Sequence, residues 1–145
     1  YDGVVSTDQT ATSINTAYAL TFTQTLAAGI AAGTPASRLV ISEGGQFFVS
    51  FAAQIASSSA STLTFYFWFR INGVDVPHST MENSLHRNNA TLATSRSTIL
   101  QLVSNDYVEL MWAVDSTNGT LQASAATAFA PANPASTLSI VRLHG

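Results

Sequence analysis

The residues of this chain that could do chemistry are few and scattered. His78, Glu82 and His86 recur at every fourth position. On a helix they would share one face, a spacing that suits zinc. Pro77 precedes them, however, and the surrounding residues favour strands, in which positions four apart lie about 13 Å from one another. A solvated loop or edge strand is expected here, and no metal site is assigned. Asp106, Glu109 and Asp115 raise the two-carboxylate chemistry of glycoside hydrolysis. Asp106 ends a Ser-Asn-Asp turn and Asp115 opens "DSTNG", where turn formation is the ordinary use of such residues. Asp115 with Asn118 is a weaker candidate for calcium. Asn89-Ala-Thr91 and Asn118-Gly-Thr120 match the glycosylation sequon, which has meaning only in a secretory host. A Gly-x-Ser-x-Gly elbow, a glycine-rich phosphate loop and a His-Glu-x-x-His pair are all missing. The sequence is therefore expected to encode no enzyme and to need no cofactor.

Composition narrows the classes further. The 145 residues suit one domain, residues 1–145, with 1–16 as an N-terminal arm or first strand. Charged residues are 9% of the chain, against about 25% in an average domain. There is no lysine, and the five basic residues are Arg38, Arg70, Arg87, Arg96 and Arg142. With a net charge of −3 and no basic stripe, no nucleic-acid partner is expected. No apolar run is long enough for a membrane helix, and no membrane partner is expected. Cysteine is absent, which excludes disulfides and thiolate metal sites. Such a low charge fits a surface covered by copies of the same chain, or a rigid extracellular or particle-bound protein.

The elements that would position any site read as strands. "QFFVSFAAQI" (Gln46–Ile55) places Phe47, Val49 and Phe51 on one face. "LTFYFWFRI" (Leu63–Ile71) does the same for Phe65, Phe67 and Phe69, and "YVELMWAV" (Tyr107–Val114) for Leu110 and Trp112. Further strands are expected over Ala17–Gln24, Arg38–Ser42, Thr94–Val103, Thr120–Ser124 and Thr137–Leu143. Asn72-Gly73 is the strongest turn signal and predicts a type I′ hairpin. Ala27–Ala32 is the best helical window, but Gly29 and Gly33 interrupt it. Residues His78–Asn89 show no clear period, and Ala125–Pro134 reads as a loop. Eight to ten short strands with turns between them predict an all-β sandwich or barrel.

The opposite faces of these strands are unusual. Phe48, Tyr66, Trp68 and Met111 fall where small polar groups are ordinary. Several large apolar groups on different strands suggest one contiguous patch, and such patches mark interfaces. The alternative is that a loop of the same chain covers them. Arg70 ends the same face and could pair with Glu109, with a carboxylate of a neighbouring subunit, or with water alone. Phe48, Tyr66, Trp68, Arg70 and Met111 are the expected subunit interface.

The order of "GGQFFVSFAAQI", "FYFWFRINGVDVP", "ILQLVSNDYVELMW" and "STLSIVRL" resembles the C1q/tumour-necrosis-factor type of jelly roll. That resemblance implies a single β-sandwich that assembles as a homotrimer. The opening "YDGVVSTDQTATSINTAYALTF" is similar to C1q-like modules of tailed-phage structural proteins. It implies a virion-surface role, with the trimer either decorating and cementing a capsid or tipping a fibre. The expected partners are then the major capsid protein or other virion proteins, or a host surface receptor. A secreted C1q-like adhesion or ligand module is the rival class, and a carbohydrate-active enzyme on a sandwich scaffold is a more distant one.

Overall fold

The computed structural model describes residues 1–145. Fourteen strands form and no helix. They are β1 (Asp2–Val5), β2 (Gln9–Thr10), β3 (Tyr18–Ala19), β4 (Thr23–Leu26), β5 (Ile30–Ala32), β6 (Leu39–Ile41) and β7 (Gly45–Ser57). There follow β8 (Leu63–Ile71), β9 (Val74–Asp75), β10 (Met81–Leu85), β11 (Thr91–Leu102), β12 (Tyr107–Val114), β13 (Gly119–Leu121) and β14 (Ser136–His144). Eight of these have four or more residues. The excess over the expected eight to ten comes from two- and three-residue pairings that no local pattern announces.

The strands build two antiparallel sheets. In the first, β11 pairs with β7, β7 with β14, β14 with β1, and β1 with β4. β13 continues along the same edge of β7 as β14 and carries β2 on its other side. In the second, β10 pairs with β8 and β8 with β12. The far edge of β12 is shared by β6 and β3, and β6 leads on to β5.

Strict alternation sets which side of each sheet is core. Phe47, Val49, Phe51, Ala53 and Ile55 of β7 are buried, and so are Leu63, Phe65, Phe67 and Phe69 of β8. The two sets meet between the sheets. The Phe51 ring lies 5.3 Å from that of Phe67 and 5.8 Å from that of Phe69. Trp112 stacks at 6.5 Å on Phe65 and takes Tyr18 on its other flank at 5.9 Å. Leu20 and Phe22 are buried as their alternation requires, although only Tyr18–Ala19 and Thr23–Leu26 of that stretch pair as strands.

The Asn72-Gly73 turn has the two positive φ angles of a type I′ hairpin, 50° and 81°. Asn72 also clamps the next hairpin: its Nδ2 donates to Asp106 Oδ1, and its Oδ1 accepts from the Tyr107 N–H. The weak helical window does not form a helix. Gly29 turns the chain at φ 71°, and Ile30 pairs with Ile41 and enters the core. Within His78–Asn89 an edge strand, β10, forms because Leu85 is pulled inward while Glu82 and Ser84 face water.

The inter-sheet aromatic contact gives a direct test. Phe67→Ala should destabilise the folded protein by about 3–5 kcal/mol, read as a lower urea midpoint at fixed protein concentration with an unchanged slope.

Candidate functional site

Neither outward face of the sandwich carries the five-residue patch expected from the sequence. Tyr66, Trp68, Arg70 and Met111 lie on the outward side of the second sheet, and Phe48 lies on the outward side of the first. The two groups are separated by the whole core. The reason is geometric: alternation says that a side chain points away from the core, but not from which of two sheets.

On the second sheet the chain supplies its own cover. Met111 is only 3% exposed, with Trp68 and Ala19 opposite it on the flanking strands. Glu109 is buried and accepts a 2.7 Å hydrogen bond from Ser37 Oγ, contributed by the loop before β6. From the same loop the Arg38 guanidinium stacks 4.5 Å over the Tyr107 ring. Met111 is therefore withdrawn as a surface contact. Tyr66 and Trp68 are half-buried.

Arg70 does not reach across to Glu109, its ladder neighbour. Its Nε pairs at 2.7 Å with Asp75 Oδ1, inside the hairpin made by the Asn72-Gly73 turn. The same oxygen accepts from the Trp68 indole N–H at 2.7 Å. Trp68, Arg70 and Asp75 thus form one polar cluster that occupies the indole nitrogen within the chain. Desolvation and the Glu82 carboxylate opposite push the Tyr66 phenol up.

The outward face of the first sheet differs in kind. Its positions are the alternate residues Thr91 to Gln101 on β11, Gln46 to Ala56 on β7, and Thr137 to Val141 on β14. None is charged, and most are Ala, Ser or Thr. One rung is apolar across all three strands: Ile99 lies opposite Phe48, and Phe48 opposite Val141. These side chains are 60%, 39% and 52% exposed. On the adjacent β1 the carboxylate of Asp2 is held by the hydroxyls of Ser139 and Thr25 at 2.7 and 3.0 Å. Arg96, the one basic residue of β11, is turned away and donates to the carbonyls of His78 and Thr80. Ile99 and Val141 were not singled out from the sequence. The available signal was the uncharged alternate run from Thr91 to Gln101.

The other chemistry-bearing residues have structural employment. Asp106 Oδ2 accepts from the Val103 N–H and closes its turn. Asp115 Oδ1 accepts from the Thr64 N–H. His86 Nδ1 lies 3.2 Å from the Thr62 hydroxyl, and His78 occupies a left-handed turn position at φ 60°. His78, Glu82 and His86 do not converge.

The hydrogen bond from Arg70, and then that from Trp68, hold the Asp75 carboxyl below its ordinary range. A depressed folded-state value means that this ionised cluster favours the native state at pH above about 4 and loses that effect as pH falls through the folded value. The Trp68 indole N–H resonance should therefore titrate with a midpoint below that of a free aspartate. Asp75→Asn should abolish that titration, and a midpoint at the ordinary value would contradict the cluster.

No protein-family model and no characterised relative matches the chain by sequence. Among solved structures, the crystal structure of murine APRIL at pH 8.5 matches with a TM-score of 0.58 at 11% sequence identity. The match covers 98% of this chain and 96% of that one. The likeness is one of fold: this chain is an all-β, two-sheet jelly roll of the tumour-necrosis-factor type.

Proposed function

We propose that the chain is a non-enzymatic structural module that assembles as a homotrimer through the outward face of its first sheet. Its place in this reading is the surface of a phage virion, where it decorates and cements the capsid. The observation that carries the assembly is the uncharged three-strand face with its Ile99–Phe48–Val141 rung. A face of small side chains lets another chain approach closely, and the absence of charge spares it the large cost of desolvating ions. Burying each of the three large side chains contributes about 1.5–3 kcal/mol, part of which the entropy of association offsets. The chain's 9% charge content fits the same picture, since a covered face needs no charge for solubility.

The virion role is supported by the resemblance of the N-terminal stretch to phage structural modules. A cement trimer works by gripping several capsid subunits at once, so that three weak contacts act as one strong one. The same body could tip a fibre, with its loops against a host surface receptor. The fold is also compatible with a secreted C1q/tumour-necrosis-factor-like ligand module.

Sedimentation of the wild-type protein at micromolar concentration should give three times the 15.3 kDa chain mass. Phe48→Glu should reduce that mass to a folded monomer. Trp68→Asp, on the other sheet, should leave it unchanged; the reverse pattern would move the interface to the second sheet. A folded wild-type monomer would end the assembly reading. Gold-labelled antibody on purified particles separates the roles: label over the whole shell means cement, label at the tail means a fibre tip, and no label on any particle removes the virion role.

A further inference from the structure

Where β14 leaves β7, at Ser136 opposite Ala53, the outward side of the first sheet changes character. β13 takes over that edge, and Thr120 of β13 and Thr91 of β11 stand on either side of Ala56. Two strand spacings put these threonines about 10 Å apart, with only the Ala56 methyl between them. A hollow of about 260 Å³ opens over this floor, and Asp8, Asn89 and Gln122 contribute to its walls. From Phe48 to Ala56 along β7 is about 26 Å, so the hollow lies at the far end of the sheet from the apolar rung.

Both walls are held by the backbone. On the β11 side the preceding loop is pinned to β7: the Asn89 N–H donates to the Ser57 carbonyl at 2.9 Å, and the Ser57 N–H to the Ala90 carbonyl at 3.0 Å. Asn89 sits there at φ 58°, a left-handed position that asparagine tolerates. On the β13 side the Gln122 N–H donates to the Gln54 carbonyl at 2.8 Å, and Asp8 Oδ1 accepts from the Ala123 N–H at 2.8 Å. These bonds leave a set of polar groups over. Asp8 Oδ2, the hydroxyls of Thr91 and Thr120, and the side-chain amides of Asn89 and Gln122 have no hydrogen-bond partner within the chain. Donors and acceptors held in place before contact lower the entropy cost of binding.

The chemistry of the lining selects the occupant. No basic side chain lines the hollow, and an anion would meet the Asp8 carboxylate. A calcium ion takes about six to eight oxygens at roughly 2.3–2.6 Å, and threonines on strands two spacings apart cannot share one. An apolar ligand would find only Ala56 and Ala90. What suits hydroxyls, amides and one carboxylate is a neutral ligand whose own groups both donate and accept. The volume falls below the roughly 300–1,000 Å³ of pockets for drug-sized ligands, which limits the occupant to a single ring. We infer that this hollow binds one residue of a neutral saccharide, whose hydroxyls meet Asp8 Oδ2, the amides of Asn89 and Gln122, and the hydroxyls of Thr91 and Thr120. The site does not rest on the homotrimer proposed above.

The test uses the full chain, labelled with nitrogen-15, and the methyl glycosides of glucose, galactose, mannose and N-acetylglucosamine. Inorganic phosphate and calcium chloride are the controls. At least one glycoside at millimolar concentration should shift the amide resonances of Asn89, Thr91, Thr120 and Gln122, while those of Gln46 and Gln101 at the other end of the sheet stay in place. Asp8→Asn keeps the acceptor for the Ala123 N–H, and Thr120→Val keeps the side-chain shape. Together they should weaken binding about tenfold or more, with the circular dichroism spectrum unchanged. Glycosides that shift no resonance, or only resonances elsewhere, overturn the site in the wild-type protein alone. Binding that the paired variant leaves at full strength overturns it as well, and so do shifts at these amides from phosphate or calcium but from no glycoside. A matching disaccharide that binds more tightly than the methyl glycoside identifies the end of a glycan chain, and equal binding a free sugar; both support the site. Sedimentation of the same samples reports the homotrimer separately, so either proposal can fail alone.

Discussion

Contact between Phe51 of the first sheet and Phe67 and Phe69 of the second is what every other feature depends on. It sits within one continuous core of buried residues from both sheets, to which no helix or disulfide adds. The contact sets the inner side of β7 and β8, and with it the outer side. Once Phe47, Val49 and Phe51 face inward, Phe48 is driven outward by the pleat. The apolar rung on the first sheet is thus a product of core packing as much as of surface composition. A one-residue slip of β7 against β11 or β14 would exchange the two sides and turn Gln46, Ser50 and Gln54 inward in place of Phe47, Phe51 and Ile55.

The two outward faces have solved the same problem in opposite ways. The second sheet carries the large aromatic groups, and the chain satisfies them itself. Asp75 takes the Trp68 indole and the Arg70 guanidinium together, and Ser37 reaches Glu109 from a distant loop. The first sheet carries small groups and one apolar rung, and the chain leaves them uncovered. A face furnished with polar partners is finished as it stands. A face of alanine, serine and threonine with Ile99, Phe48 and Val141 across it gains most from being covered.

Much of the fold was legible in the sequence because a period of two is a strong local signal. The inward residues of β7, β8 and β12 follow from alternation, and Asn72-Gly73 follows from the backbone angles that turn demands. The candidate site was less legible, for two physical reasons. Alternation fixes inside against outside for each strand but carries no information about which sheet the strand joins. Phe48 and Trp68 therefore looked like neighbours when they are on opposite surfaces. Local patterns also say nothing about which loop returns over a face. The cover on Glu109 comes from a residue 72 positions earlier in the chain. β5 escaped notice because a single inward residue, Ile30, fixes it, and β10 stood only as the alternative to a loop because Leu85 alone turns fully inward.

The place of β1 has a consequence for how the protein is made. Asp2 to Val5 lie between β4 and β14, and their partners on β14 are Ser136 to Ser139. During translation this first strand leaves the ribosome long before the last one exists. It must wait with one edge unsatisfied while more than a hundred residues are added. The first sheet is therefore sealed only when the arriving β14 fills the gap between β7 and β1. Long-range closure of this kind is slow compared with local pairing. Until that moment the nascent chain offers an open slot to any passing β-strand.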